Sequence, residues 1–414
     1  FIAAQNLVSQ LYTQLGFNSL GQICIFIYFT MFAMISIVSA HLKRKISVRT
    51  GLILGASAHI GFVFAGALTS LCYKYDLHTG FCSGSFIIFF NLLSATFLGL
   101  GAAFLWLCQA TYVNSCTDEQ SKGFLNGIFW SVFQSAQIFS CVLAAVLLGS
   151  TDQFTFYFIL LIFGVAGITF LFFLKPAPNN GAMEVDVSNR QEDIRQAMRG
   201  FFELTREKKY YFLYIGTIFA GVSIGCYISF IATAIGTTIE SESTQEINRL
   251  IGYVLIVLSC GEVAAGVTMG RLADKYDKIK MFAVSIIINE AALVFTFLAC
   301  LFKSYKLMII GGFLFGYGDT ATQTMINTCI GFLFQGKTEL FSAYRFFQGV
   351  GMMFSAILNV VVPRENPMIY IFAIACSMVA LHSYFNRYAT KTSSERTKDP
   401  MTTPLIEMNN LASL

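Results

Sequence analysis

Residues 153–174 read QFTFYFILLIFGVAGITFLFFL, an uncharged apolar run, and the chain then turns polar at Lys175-Pro176-Ala177-Pro178-Asn179-Asn180-Gly181. A bilayer-spanning helix needs about 20 apolar residues at about 1.5 Å each, and this run has that length. The polar segment Lys175 to Lys209 is the main break in the chain and holds two of its six prolines. Working outward from it, apolar spans fall near 19–40, 49–73, 84–113, 123–149 and 153–174 before the break. They fall near 209–238, 250–270, 281–302, 307–334, 339–362 and 367–388 after it. The shorter apolar stretch Phe1 to Leu15 reads as a first helix whose beginning is missing, which makes six spans on each side.

Composition agrees. Charged residues are 12% of the 414, against about a quarter in a soluble domain, while apolar residues are 56% and include 43 phenylalanines. The solvent for most of this surface must therefore be lipid, where the backbone has to satisfy its own hydrogen bonds in helices or a closed barrel. The alternating ten-residue segments of a barrel are missing from the sequence. The expected fold class is an all-α polytopic membrane protein of two six-helix halves, with the lipid bilayer as its first partner. The domains are 1–174 (first helix truncated), a linker at 175–208, a second bundle at 209–390 and a disordered tail at 391–414.

Within the linker, Ser188 and Gln191 have capping-box spacing, and Ile194, Met198, Phe201 and Phe202 recur at helical intervals among charged residues. This predicts an amphipathic helix lying on the bilayer or under the bundle. Basic residues are retained in cytoplasmic loops, which orients the chain. One face collects Lys43, Arg44, Lys45, Arg49, Lys122, the basic linker, Arg271, Lys275, Lys278, Lys280, Lys337 and the basic tail. The opposite loops have only Lys74, Arg249, Lys303, Lys306 and Arg364. Both termini are expected in the cytoplasm.

The formal net charge of +4 is scattered among loops and forms no nucleic-acid-binding face. No pattern of a catalytic triad, metal cluster or phosphate loop is present, so neither an enzyme nor a cofactor is expected; His41, His59, His78 and His382 read as isolated. The eleven cysteines read as small packing residues in a reduced setting. The exception is Cys72 and Cys82, which bracket Tyr73 to Phe81 and would be bridged if that loop is extracytoplasmic.

The loop GRLADKYDKIK at 270–280 resembles the major-facilitator loop signature. There Gly270 permits a tight turn, Asp274 caps and pairs near helix ends, and Lys275 and its basic neighbours meet helix C-termini. The plain alternative is a basic turn. The halves also echo each other, with Gly99-Leu100-Gly101 matching Gly316-Tyr317-Gly318 and Phe133-Gln134-Ser135 matching Phe347-Gln348-Gly349.

The run GLGAAFLWLCQATY at 99–112, followed by Asp118-Glu119 and GIFWSVFQS at 127–135, resembles the Unc-93-like family of the major facilitator superfamily. LGFNSL at 15–20, Gly261-Glu262, GYGD at 316–319 and Phe346-Phe347-Gln348 extend the resemblance over nearly the whole chain. Where that family commonly has Gln-Gly and then Asn-Ser-Gly, this chain has Gln109-Ala110 and Leu125-Asn126-Gly127. The resemblance implies the major facilitator fold and a non-transporting role beside an ion channel or receptor, as regulator or chaperone. The competing function is a secondary transporter moving a small solute or cation by alternating access.

Candidate functional residues lie inside the spans. Trp106 and Gln109 share a helix face, as do Trp130 and Gln134. An indole N–H or an amide in apolar surroundings needs a partner, so both faces are expected to look inward, as interhelical glue or as ligand contacts. Glu262, Glu290, Asp319 and Arg345 are ionisable groups within spans, each costing several kcal/mol unless paired or hydrated. Helices homologous to the eighth, tenth and eleventh line the central cavity in the resembled superfamily, which favours Glu262, Asp319 and Arg345 as cavity or gating groups. Glu290 is expected to be structural. Asp319 lies about 20 Å of helix from Lys306, near mid-membrane, on a helix made polar by Thr320, Thr322, Gln323 and Asn327. Glu262 and Arg345 sit at similar depth from one edge, which predicts a carboxylate–guanidinium pair. The alternative is that Arg345 snorkels to the interface while Glu262 caps a neighbouring helix.

The charge pattern yields an expected labelling result. Reagents confined to the cytoplasmic side should reach Lys43, the linker near Ser188 and the C-terminal tail and should spare Tyr73 to Phe81; cytoplasmic labelling of that loop would refute the orientation.

Overall fold

The computed structural model describes residues 1, 4, 5, 8, 12, 15–17, 19–117, 121–175, 194–238, 244–335, 337–362 and 367–398. The helices of the first half are α1 (Leu20–Lys43), α2 (Val48–Lys74), α3 (Gly84–Ser115), α4 (Lys122–Ser150) and α5 (Gln153–Leu171). A short helix, α6 (Ile194–Thr205), precedes the second half. That half comprises α7 (Tyr211–Thr238), α8 (Thr244–Lys275), α9 (Lys278–Leu301), α10 (Tyr305–Leu333), α11 (Thr338–Val361) and α12 (Pro367–Lys398).

Local chemistry starts several of these helices. Ser47 accepts from the Thr50 N–H at the head of α2, Ser83 from Phe86 at α3, Asp152 from Thr155 at α5 and Asp277 from Lys280 at α9, each satisfying an orphan donor. Asp277, which stands where the loop signature usually has glycine, is thus a helix cap. Among the described residues, eight helical segments combine the length and apolarity needed to cross a membrane, and the protein is an integral, multi-pass membrane protein. The helices α10 and α11, which carry Asp319, Gln323, Asn327, Arg345 and Gln348, are not among the eight.

Within the first half α1 and α2 pack on α3, and α2 on α5; within the second, α7 packs on α11 and α12, α8 on α10, and α9 on α10 and α12. The halves meet where α4 lies along α8 and α10, and where α1 lies along α11. Of the Phe1–Leu15 stretch, Ala4, Val8, Tyr12 and Leu15 are buried in the first half, and the Tyr12 hydroxyl donates to Asn91 of α3. Apart from Phe1 and Gln5, the rest of that expected first helix lies outside the described residues, as do Asp118-Glu119, Pro176, Pro178, Ser188, Gln191 and the tail beyond Lys398.

The described basic turns near Arg44, Lys122, Asp274 to Lys278 and Lys337 meet at one end of the bundle, and there the halves are tied together. Arg44 pairs with Glu339, the Ser39 and Ser342 hydroxyls lie 2.9 Å apart, and Lys122 Nζ donates to the Gly331 carbonyl at 3.3 Å. The amphipathic helix α6 docks here: Phe201 is buried against Phe346 of α11 at 5.5 Å, while Ile194, Met198 and Phe202 stay exposed. At the other end Cys72 and Cys82 form a disulfide, and Lys74 Nζ lies 3.0 Å from Asp152. That lysine, ahead of the Thr155 groups, holds the Asp152 carboxyl down at about 2.

One boundary differs from expectation. The helix α12 continues to Lys398 and so takes in the first eight residues of the tail expected from 391, because adding a residue to an existing helix avoids the nucleation penalty.

Glycines set the closest approach between the halves. A Cβ on Gly127 of α4 would collide with the Gly266 carbonyl of α8, and one on Gly270 would lie 2.7 Å from the Gly123 carbonyl. Backbones in such contact gain dispersion energy that a side chain would hold apart. Gly127→Leu is therefore expected to destabilise the purified protein by roughly 1–3 kcal/mol or more through overpacking. Gly61, whose Cβ would meet nothing within 4 Å, is the control: Gly61→Ala should leave the melting temperature nearly unchanged.

Candidate functional site

The interior polar residues gather where the halves meet. From the first half, α3 presents Trp106 and Gln109, and α4 presents Trp130, Gln134 and Gln137. From the second, α7 supplies Tyr227, α8 Glu262, α10 Asp319 and Gln323, and α11 Tyr344, Arg345 and Gln348.

Glu262 is 2% exposed, and its Oε1 accepts a 3.0 Å hydrogen bond from Gln134 Nε2 across the halves. Its Oε2 has no partner among the described residues. A Cβ on Gly316 would sit 3.1 Å from Glu262 Cγ, so the absence of a side chain there lets α10 close over the glutamate. Asp319 follows on the same helix, half-buried between the buried Gly318 and Thr320, and its Oδ1 is unpartnered among the described residues.

Arg345 is also 2% exposed. Its guanidinium carbon lies 4.1 Å from the Tyr344 ring centroid and 4.9 Å from that of Trp106, and Trp106 stacks in turn on Trp130 at 5.6 Å. Nη1 donates to the Tyr344 hydroxyl at 3.0 Å and to Gln348 Oε1 at 2.8 Å, and the Tyr344 hydroxyl in turn donates to Gln323 Oε1.

The expected Glu262–Arg345 pair does not form: among the described residues no ion pair joins them. The reason is packing, since α8 lies against α4 and α10, whereas α11 lies against α7 and α1. The snorkelling alternative is not seen either, because Arg345 is buried. The two tryptophan faces do meet across α3 and α4, but Trp130 Nε1 and Gln109 Oε1 have no hydrogen-bond partner among the described residues, contrary to the expectation for both. Glu290 is bonded by His382, whose Nδ1 lies 2.9 and 3.0 Å from its two oxygens, between α9 and α12. That histidine is not isolated, nor is His78, 2.9 Å from Asp76, nor His59, whose Nδ1 lies 2.7 Å from the Gly55 carbonyl.

The loop motif sits apart, at the basic end. The two Asp274 carboxylate oxygens accept from the Gly123 and Phe124 N–H groups at 2.8 Å each, so a residue of the second half caps the N-terminus of α4 in the first. Gly270 is part of the glycine contact described above, and Lys275 is exposed.

Sequence reading missed Tyr344, Tyr227 and Gln137, because tyrosine and glutamine in an apolar helix carry no signal as sharp as a formal charge. It also missed the packing role of Gly123, Gly127 and Gly266, although Gly123-x-x-x-Gly127 and Gly266-x-x-x-Gly270 are small-residue repeats typical of close helix pairs.

Residues 16–303 match the family model described as ion channel regulatory protein UNC-93, and residues 213–411 match that of the Major Facilitator Superfamily. The chain is 19% identical over 386 residues to UNC93-like protein MFSD11 of Xenopus tropicalis, covering 84% of this chain and 82% of that one. It is 24% identical over 354 residues to Protein unc-93 homolog A of Bos taurus, covering 71% and 73% respectively. Among solved structures, a bacterial homologue of the iron transporter ferroportin in its outward-facing state superposes with a TM-score of 0.66 at 12% identity, over 94% of this chain and 96% of that one. At that identity the likeness shows a shared fold.

The contacts predict which substitutions couple. Glu262→Gln and Arg345→Gln, which share no contact, should give stability losses that add within about 0.5 kcal/mol, whereas Gln134→Leu and Glu262→Leu should couple by roughly 1–3 kcal/mol. Melting temperatures of the four single and two double variants check both statements.

Proposed function

The chain belongs to the UNC-93 family, and on that premise we propose that it is a membrane-embedded regulatory protein whose client is an ion channel or another membrane protein. The match of residues 16–303 to the UNC-93 model carries this reading. It is supported by the scaffold itself, in which Asp274, the glycine contact, Arg44–Glu339 and Ser39–Ser342 join the halves at the basic end into one body.

The basic end faces the cytoplasm in this proposal, so both termini do too. The lysine and arginine pattern supports that orientation. The Cys72–Cys82 disulfide at the opposite end supports it independently, because disulfides persist in oxidising, extracytoplasmic compartments.

A second reading, secondary transport, is favoured by one specific observation. Three ionisable groups, Glu262, Asp319 and Arg345, lie between the halves with incompletely partnered atoms, where alternating-access carriers hold their cargo. The clasp at Asp274 would then open and close as the halves rock.

Isolation of the tagged chain from its native membrane tests the first reading against the second. Regulation predicts a stoichiometric channel or other membrane protein that stays with it through purification. Recovery of the chain alone with a bound small solute would overturn regulation in favour of transport.

A further inference from the structure

We propose that Arg345 is a binding site for the carboxylate group of a small organic solute, taken side-on by the open Nε–Nη2 edge of its guanidinium. The proposal goes beyond the regulatory reading and holds whether the bound solute crosses the membrane or only sets the conformation of the scaffold.

The argument starts from how a guanidinium can be satisfied. It is a planar cation with five N–H donors and no acceptor, so its faces and its edges have different needs. In this protein the aromatic contacts serve the faces, through the ring centroids of Tyr344 at 4.1 Å and Trp106 at 4.9 Å. One part of the edge is served as well, by the Nη1 bonds to the Tyr344 hydroxyl and Gln348 Oε1. Nε and Nη2 have no hydrogen-bond partner among the described residues, although the side chain is 98% removed from solvent by its 2% exposure. These two donors form the side-on fork that receives the two oxygens of a carboxylate in parallel.

The formal charge points the same way. A cation in an apolar interior is held by a counter-charge or by water, and among the described residues no acid lies within ion-pair range of Arg345. Of the three acids inside the spans of the second half, Glu262 is bonded by Gln134 across α4 and α8 and Glu290 by His382 between α9 and α12, while Asp319, whose Oδ1 is unpartnered among the described residues, forms no ion pair with the arginine. Arg345 stacks on Trp106 and Trp106 on Trp130 of α4, the helix whose Gln134 is the partner of Glu262. Lipid phosphates are placed poorly for this fork, since Arg345 lies about 12 Å of helix inward from Lys337 at the basic end. A small planar anion that enters between the halves fits it better.

The chain reports on this site by itself. Its two tryptophans are Trp106, which stacks on Arg345, and Trp130, which stacks on Trp106, so all intrinsic tryptophan emission arises at the proposed site. The purified full chain in detergent is titrated with acetate, butyrate and succinate, each against its neutral amide, at ionic strength held constant with sodium chloride, and then with sodium phosphate. The expected result is a saturable change in emission with at least one carboxylate and none with its amide. Arg345→Lys, which keeps the charge but loses the fork, should weaken the apparent affinity by roughly tenfold or more, and Arg345→Gln should abolish the response.

An equal response to acid and amide, a saturable response to phosphate alone, or no saturable response to any carboxylate would overturn the proposal. So would an unchanged affinity in Arg345→Gln. If the arginine variants do not fold, the comparison of acid with amide on the unaltered chain still decides, with the melting temperature as a second readout that should rise with the carboxylate only.

Discussion

Two backbones in direct contact, α4 of the first half and α8 of the second, are the interaction on which the rest of the interior depends. Gly123, Gly127, Gly266 and Gly270 bring them together, and a Cβ at any of these positions would meet backbone or side-chain atoms of the other helix. Without that approach Asp274 would not reach the free N–H groups at the head of α4, and Gln134 would not reach Glu262. An amide and a carboxylate in an apolar interior each lose several kcal/mol if left alone, so the glycines are what make the polar residues tolerable.

The two halves use their related positions in parallel ways. Gly99 of α3 rests on the Tyr28 carbonyl of α1, and Gly316 of α10 rests on the Leu258 carbonyl of α8, so each echoed glycine seats its helix against a neighbour. The echoed glutamines both serve a charge: Gln134 donates to Glu262 in the other half, and Gln348 accepts from Arg345 one turn earlier in its own helix. The charges themselves are not echoed, since all of them belong to the second half. A symmetric scaffold therefore carries an asymmetric interior, as expected of a fold in which function is grafted onto a shared frame.

Burial explains why the interior is held so tightly around Arg345 and Glu262 and so loosely at α6. The two charged groups are enclosed by aromatic rings and packed helices, while Ile194, Met198 and Phe202 of α6 remain on the surface and only Phe201 is inserted. An amphipathic helix anchored by one side chain and bordered by Arg195 and Arg199 is suited to the bilayer interface.

The fold was legible in the sequence because lipid imposes a simple rule: an apolar run of sufficient length becomes a helix, whatever its neighbours. The span 153–174 and its polar sequel at Lys175 sufficed to start dividing the chain, and helix limits such as Lys43, Lys74 and Leu333 follow from where polarity returns. The residues Glu262, Asp319 and Arg345 were legible too, since a charge inside a span is costly wherever it points. Their partners were not. Equal depth suggested that Glu262 would meet Arg345, but depth along a helix says nothing about which helices touch. Packing gave Glu262 to Gln134, placed Arg345 between Trp106 and Tyr344, and joined Glu290 to His382. Periodicity along one chain sets how far a residue lies from the membrane edge and which face it takes; only the tertiary contacts, set by glycine seams between helices distant in sequence, decide what stands opposite.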